Sequence, residues 1–164
     1  MSPRTLLTSS SFLATTAGVV ATAAVGTAGG DYGSRWYRRL RKPPFDPPAI
    51  VFPIVWPLLY ADIAVASAAV LEAARAAANH RAHQSYAAAL GANLVLNATW
   101  TPVATRSRHV WLSAVQAGAL AVSSWDLVRR AAPLHQRAAV ALTPYAAWCT
   151  FATVLSTDLA RRNT

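Results

Sequence analysis

Residues 5–30 read TLLTSSSFLATTAGVVATAAVGTAGG, without one Asp, Glu, Lys or Arg. Residues 86–105 (YAAALGANLVLNATWTPVAT) and 138–157 (AAVALTPYAAWCTFATVLST) are equally free of charge. Each stretch is about as long as the roughly 20 residues a helix needs to cross a bilayer. A core helix of a water-soluble protein keeps one polar face, so three such stretches in one short chain point to lipid. Composition agrees, with 54% apolar and 13% charged residues, against roughly 25% charged in soluble domains.

Working outward, five spans emerge at about 8–29, 48–71, 83–104, 110–128 and 137–159. They make a single all-α membrane domain covering residues 1–164, a bundle of five transmembrane helices. The first span competes with a cleaved secretory signal, with Arg4 as its basic start and Ala21-Thr22-Ala23 as its cleavage site. Its Gly26 and Gly30 form a small-xxx-small pair. Between spans one and two lies a structured basic loop that carries Arg35, Arg38, Arg39, Arg41 and Lys42, then Pro43, Pro44, Pro47 and Pro48. Prolines so dense forbid a continuous helix, because each lacks an N–H and restricts its predecessor. Pro53 and Pro57 predict a kink early in span two. In span four, Trp111 and Trp125 lie about 21 Å apart at helical rise, which suits two interfacial belts.

The net charge of +9 raises the question of nucleic acid. The arginines occupy short connectors rather than one helix face, so a membrane surface explains them and a nucleic-acid partner is not expected. Arg35, Arg38, Arg39, Arg41, Lys42, Arg106, Arg108, Arg161 and Arg162 share one side of the bundle. Arg4, Arg75, Arg81, Arg129, Arg130 and Arg137 share the other, which places the C-terminus in the cytoplasm. A helical bundle belongs in an inner bacterial membrane, since outer membranes favour barrels. Cys149 is the only cysteine, which excludes an intrachain disulfide framework. His80, His83, His109 and His135 lie at span ends or in loops, and no metal site is completed around them.

Polar and aromatic groups inside apolar spans stand out. Trp56 and Tyr60 lie at i, i+4; Asn93, Asn97 and Trp100 at i, i+4, i+7; Tyr145, Trp148 and Cys149 within one turn. If these faces converge, they line a pocket for a flat, hydrophobic, partly polar ligand. The competing reading is that the asparagines join helices by hydrogen bonds and the rings simply pack. Asp62, mid-span, must be protonated or paired, with Asn97 or a buried water as partner. Proton or cation handling is the functional alternative there. No nucleophile elbow, phosphate loop or carboxylate pair is visible, so no catalytic residue is assigned.

The motif Trp36-Tyr37-x-x-Leu40-x-Lys42-Pro43-x-Phe45-x-Pro47-Pro48, followed by Phe52-Pro53-x-Val55-Trp56-x-x-Leu59-Tyr60, resembles the first-loop and second-helix signature of the TspO/translocator proteins. These are the tryptophan-rich sensory proteins, or peripheral benzodiazepine receptor family. Leu94-x-Leu96-Asn97-x-x-Trp100 and Pro144-Tyr145-x-x-Trp148-x-x-Phe151-Ala152 agree in order, so the resemblance spans about 29–155. It implies a five-helix bundle, commonly a homodimer, that binds protoporphyrin or haem beneath the first loop and requires no cofactor. It also implies Trp56 and Trp148 flanking the ligand and Asn97 donating to a ligand carbonyl or carboxylate, with Tyr60, Tyr37, Trp36, Asn93, Trp100, Tyr145 and Pro43 around them. Arg35, Arg39, Arg41 and Lys42 would pair with propionates, an inference from charge alone. Ala87-x-x-x-Gly91 and Ala88-x-x-x-Ala92 offer a close-packing seam for the dimer on the third helix.

Several positions depart from the family pattern. Asn93 replaces a Gln, Thr101-Pro102-Val103 an aromatic pair, Leu155-Ser156 a Leu-Asn, and Phe45 a second loop Trp. Residues 154–162 hold no Tyr, which discounts sterol. The function implied is a membrane sensor or carrier for porphyrin-type tetrapyrroles. Two alternatives stand beside it: a light-dependent porphyrin-degrading enzyme using Trp56 and Trp148, and a proton-coupled transporter using Asp62.

Overall fold

A computed structural model describes residues 3–164, with side chains from Thr5 onward, so the Arg4 side chain lies outside the described residues. The described chain is helical, with no strand. Five long helices form the body: α2 (Ser10–Gly29), α4 (Val51–Ala76), α5 (His80–Arg106), α6 (Val110–Ala131) and α8 (Thr143–Arg162). Three short ones, α1 (Pro3–Leu7), α3 (Arg35–Arg39) and α7 (Gln136–Ala141), sit at the ends. By length and composition, α2, α4 and the run 136–162 are apolar enough to cross a membrane. Helices α5 and α6 carry more polar residues, among them Asn93, Asn97 and Gln116.

Local chemistry explains the helix ends. Ser9, Ser34 and Asn79 each accept a bond from the backbone N–H three residues on, which satisfies a donor the helix leaves orphaned. Pro53 falls in the first turn of α4, where its missing N–H is not needed, so of the two prolines only Pro57 interrupts the ladder. The last span is not one helix: α7 and α8 meet at Leu142, and Pro144 occupies the first turn of α8. The turns after α4 and α5 are so tight that Ala78 (φ 51°) and Arg108 (φ 58°) take the left-handed conformation.

Helix α2 packs against both α4 and α5, α5 against α6, and α6 against α8, while α4 and α8 meet at few points. Helix α4 also packs on α5 and on α7, so the last span meets α4 mainly through α7, and α8 reaches it through side chains. Large aliphatic side chains stand on the bundle's outer surface, and small polar ones lie inside among an apolar core. Leu13, Val20, Ile54, Leu58, Val95, Val115 and Val122 are exposed, whereas Thr15, Thr22, Ser67, Asn93, Asn97 and Ser124 are buried. Thr15 Oγ1 donates to the Ala64 carbonyl at 2.9 Å, tying α2 to α4. Such bonds hold helices together in lipid, where apolar surface exerts no pull of its own.

The C-terminal end of α2 shows how a sequence departure is absorbed. A Cβ on Gly29 would sit 2.4 Å from Pro102 Cγ, and one on Gly30 would sit 2.8 Å from Thr101 Cγ2. The Thr101-Pro102 pair of α5 thus lies directly on bare backbone. Gly29→Val is expected to lower stability by about 1–3 kcal/mol through overpacking. Thermal unfolding in detergent measures it, with Gly33→Val, whose Cβ has room, as the comparison.

Candidate functional site

The first loop folds over the end of the bundle where α2, α5 and α8 finish and α4 and α6 begin. Four anchors hold it. The Asp31 N–H donates to Thr105 Oγ1 at 2.9 Å. Arg41 N–H donates to Asn163 Oδ1 at 2.9 Å, and Asn163 Nδ2 donates back to the Arg41 carbonyl at 3.0 Å. Phe45 meets Phe151 edge-on at 6.4 Å, and Pro43 is buried. Within the loop, Tyr37 packs on Tyr32 and Trp36, with the Lys42 ammonium 5.6 Å from its ring. Burial, with Tyr32 and Asp46 nearby, pushes the Tyr37 hydroxyl well above its ordinary pKa, so it stays neutral across the physiological range.

Beneath the loop the aromatic side chains of α4 and α8 face one another across the seam between the two helices. Phe52 meets Trp148 edge-on at 6.2 Å, and Trp148 packs on Phe151, tilted by 38°, at 5.5 Å. On the α4 side, Trp56 packs on Tyr60 at 5.3 Å and on Trp100 of α5 at 6.5 Å. Trp56 and Trp148 are both half-buried, each within its own group of rings. Trp100 is buried, and its indole Nε1 has no hydrogen-bond partner. An orphaned buried donor is uncommon, because its desolvation goes uncompensated.

Deeper in, a continuous polar chain crosses the bundle. The Tyr60 hydroxyl donates to Asn97 Oδ1 at 2.9 Å, and Asn97 Nδ2 donates to the Tyr145 hydroxyl at 3.0 Å. Tyr145 donates to Asn93 Oδ1 at 2.8 Å, and Asn93 Nδ2 donates to Ser124 Oγ at 3.1 Å. Ser124 closes the chain on the Leu120 carbonyl at 2.7 Å. Four helices, α4, α5, α8 and α6, are thereby joined. Both asparagines act as interhelical ties here, the competing reading of the α5 face.

The fold thus sorts the sequence candidates into three groups. Trp56, Tyr60, Trp100 and Trp148 share the aromatic seam, while Asn93, Asn97 and Tyr145 form the polar chain behind it. Trp36, Tyr37 and Pro43 belong to the overlying loop. The charged candidates scatter: Lys42 pairs with Asp46 at 3.5 Å, Arg39 and Arg41 are exposed, and Arg35 points into a separate cleft with Arg106 and Arg108. Asn97 is not the partner of Asp62, since Tyr60 and Tyr145 already engage it; Asp62 Oδ2 is buried with no partner. Phe52, Phe151 and Ser124 were not singled out from sequence. The two phenylalanines lie inside quoted motifs, but nothing in the α6 sequence marks Ser124. Two open clefts, of about 310 and 380 Å³, lie elsewhere, and neither is lined by Trp56, Asn97 or Trp148. The aromatic rings themselves fill the seam.

Residues 13–162 match the model of the TspO/MBR family. A tryptophan-rich sensory protein of Cereibacter sphaeroides is 32% identical over 132 residues, covering 78% of this chain and 77% of that protein. A Bacillus subtilis (strain 168) protein described as the uncharacterized membrane protein YtaB is 28% identical over 121 residues, covering 74% and 76%.

Tyr145→Phe strands Asn97 Nδ2 and Asn93 Oδ1 at once, whereas Tyr60→Phe strands only Asn97 Oδ1. The expected cost is about 1–3 kcal/mol for the first and less for the second. Equal losses on denaturant unfolding in detergent would show that the centre of the chain matters no more than its end.

Proposed function

The chain belongs to the TspO/MBR family, and on that premise we propose that it is a five-span membrane protein that binds a porphyrin-type tetrapyrrole in the seam between α4 and α8, as a sensor or carrier. The single observation that carries this reading is the set of aromatic rings under the first loop, with Phe52, Trp148 and Phe151 between α4 and α8 and Trp56 against Trp100 of α5. Ring-to-ring contacts there are exchangeable. A flat macrocycle entering the seam replaces indole–indole and indole–phenyl contacts with indole–macrocycle stacking of similar energy. The packing of α2 on α4 and α5, of α5 on α6 and of α6 on α8 does not run through these rings.

Hydrogen bonding follows from which donors are free. Asn97 spends its Oδ1 on Tyr60 and one Nδ2 bond on Tyr145. The Trp100 indole N–H, buried and unpaired beside Trp56, is the donor an acceptor on the ligand would satisfy. The basic first loop lies above, where propionates would emerge. The chain sits in the inner (cytoplasmic) membrane with its C-terminus in the cytoplasm, the arrangement that puts the more basic end inside. Pairing of two copies through α5 is supported by its outward Ala87, Ala88, Gly91 and Ala92, with open space around the Gly91 Cα.

One observation favours a second activity at a different place. A carboxyl oxygen of Asp62 is buried on α4 without a partner, and such a group is costly unless it exchanges a proton or cation. Proton-coupled movement of the ligand would use it. Asp62→Asn should then abolish pH-dependent flux in proteoliposomes while leaving porphyrin binding intact, and unchanged flux would remove the transporter reading.

The binding proposal is tested by titrating protoporphyrin into the detergent-purified protein in the dark, followed by Trp fluorescence and the Soret band. Saturable micromolar quenching, weakened at least about tenfold in Trp56→Phe/Trp148→Phe (about 1.4 kcal/mol), is the expected result. Binding unaffected by that double substitution would place the ligand outside the seam. Product bands appearing under illumination would point instead to a degrading enzyme.

A further inference from the structure

The cleft of about 310 Å³ at the end of the bundle is separate from the aromatic seam. It lies between the first loop, the C-terminal turn of α5 and the turn into α6, and none of the residues of the aromatic seam lines it. Three guanidinium groups, Arg35, Arg106 and Arg108, line it together with Trp36. Among the described residues, none of the three arginines lies within ion-pair distance of a carboxylate, and Asp31 on the rim is their only acidic neighbour in the cleft. Arg75, Arg129, Arg130 and Arg162 each hold a carboxylate three or four residues away. Arg38, Arg39, Arg41, Arg81, Arg137 and Arg161 also form no ion pair among the described residues, but they line neither cleft.

One of the three groups stands on strained backbone. Arg108 stands at φ 58°, a left-handed position that glycine takes with less strain. Arg35 opens α3, whose start is fixed by the Ser34 cap, and Arg106 reaches back toward the Ala28 carbonyl at 3.5 Å. Just beyond Arg108, the first turns of α6 expose Trp111, Leu112 and Val115. Cationic forks at the end of the bundle, with indole rings beside them and bare aliphatic surface below, match the three zones of a phospholipid.

We propose that this cleft binds the phosphoryl headgroup of an anionic phospholipid, with Arg35, Arg106 and Arg108 on the phosphate and the acyl chains along the outer face of α6. Guanidinium forks suit phosphate oxygens bidentately. The site lies at the end of the bundle that carries most of the basic residues, as recognition of an anionic leaflet requires. It does not depend on the tetrapyrrole reading.

The test uses the full-length protein in neutral detergent, with its unfolding temperature followed against added dioleoylphosphatidylglycerol, dioleoylphosphatidylcholine or inorganic phosphate at matched ionic strength. The expected result is a saturable rise with phosphatidylglycerol and none with phosphatidylcholine. In Arg35→Gln/Arg108→Gly the half-saturating lipid concentration should rise about tenfold or more. Its lipid-free unfolding temperature should hold or increase, because glycine relieves the strain at position 108. Arg38→Gln/Arg161→Gln, both outside the cleft, should leave the lipid response unchanged. An intact response in the cleft variant, an equal loss in the control, or no response in the parent protein would overturn the site. Inorganic phosphate alone reproducing the full rise would overturn the lipid as its source.

Discussion

In lipid, burying more apolar surface between helices yields little, so a bundle needs another reason to prefer one arrangement. Here the chain of hydrogen bonds from Tyr60 through Asn97, Tyr145 and Asn93 to Ser124 supplies it. Asn97, Tyr145 and Asn93 each donate one bond and accept another, and both asparagines stand on α5, so rotating that helix by even one position would break four interhelical bonds together. Tyr145 is fully buried at the centre, where an unpaired hydroxyl or amide would find no water. The chain thereby sets the rotation of α5 and α8, and through it the side of each helix on which the tryptophans stand.

The aromatic seam inherits its position from that constraint. Asn97 and Trp100 are three residues apart on α5, and Tyr145 and Trp148 three apart on α8. Fixing the polar residue of each pair also aims the indole beside it. The arrangement divides labour across the bundle. The polar chain is directional and costly to disturb, whereas the ring contacts in front of it can be exchanged for other flat surfaces at little cost.

Much of this was legible in the residues. Charge-free stretches marked the long helices, and proline density marked the loop that caps them. The i, i+4, i+7 spacing of Asn93, Asn97 and Trp100 put them on one face before any contact was known. The division of the last span at Leu142 was harder to see, because Pro144 signals a break without saying on which side the helix restarts. The pairing of Gly29 and Gly30 with Pro102 and Thr101 was not legible either. The two segments are far apart in sequence, and only the crossing of α2 and α5 brings bare backbone under the proline ring.

What the sequence by itself determined is the class of molecule, an apolar helical bundle of the TspO/MBR family, and the short roster of polar and aromatic residues able to line its interior. Those follow from composition, period and ordered motifs, all local properties of the chain. Which of those residues are occupied with one another was decided only by the tertiary structure. Asn97 looked free to meet a ligand and proves to be held by two tyrosines, Trp100 retains the unpaired donor, and Arg35 joins Arg106 and Arg108 rather than its own loop neighbours. A hydrogen bond or a charge cluster depends on distances between helices, and no spacing along one helix specifies how it is turned toward the next.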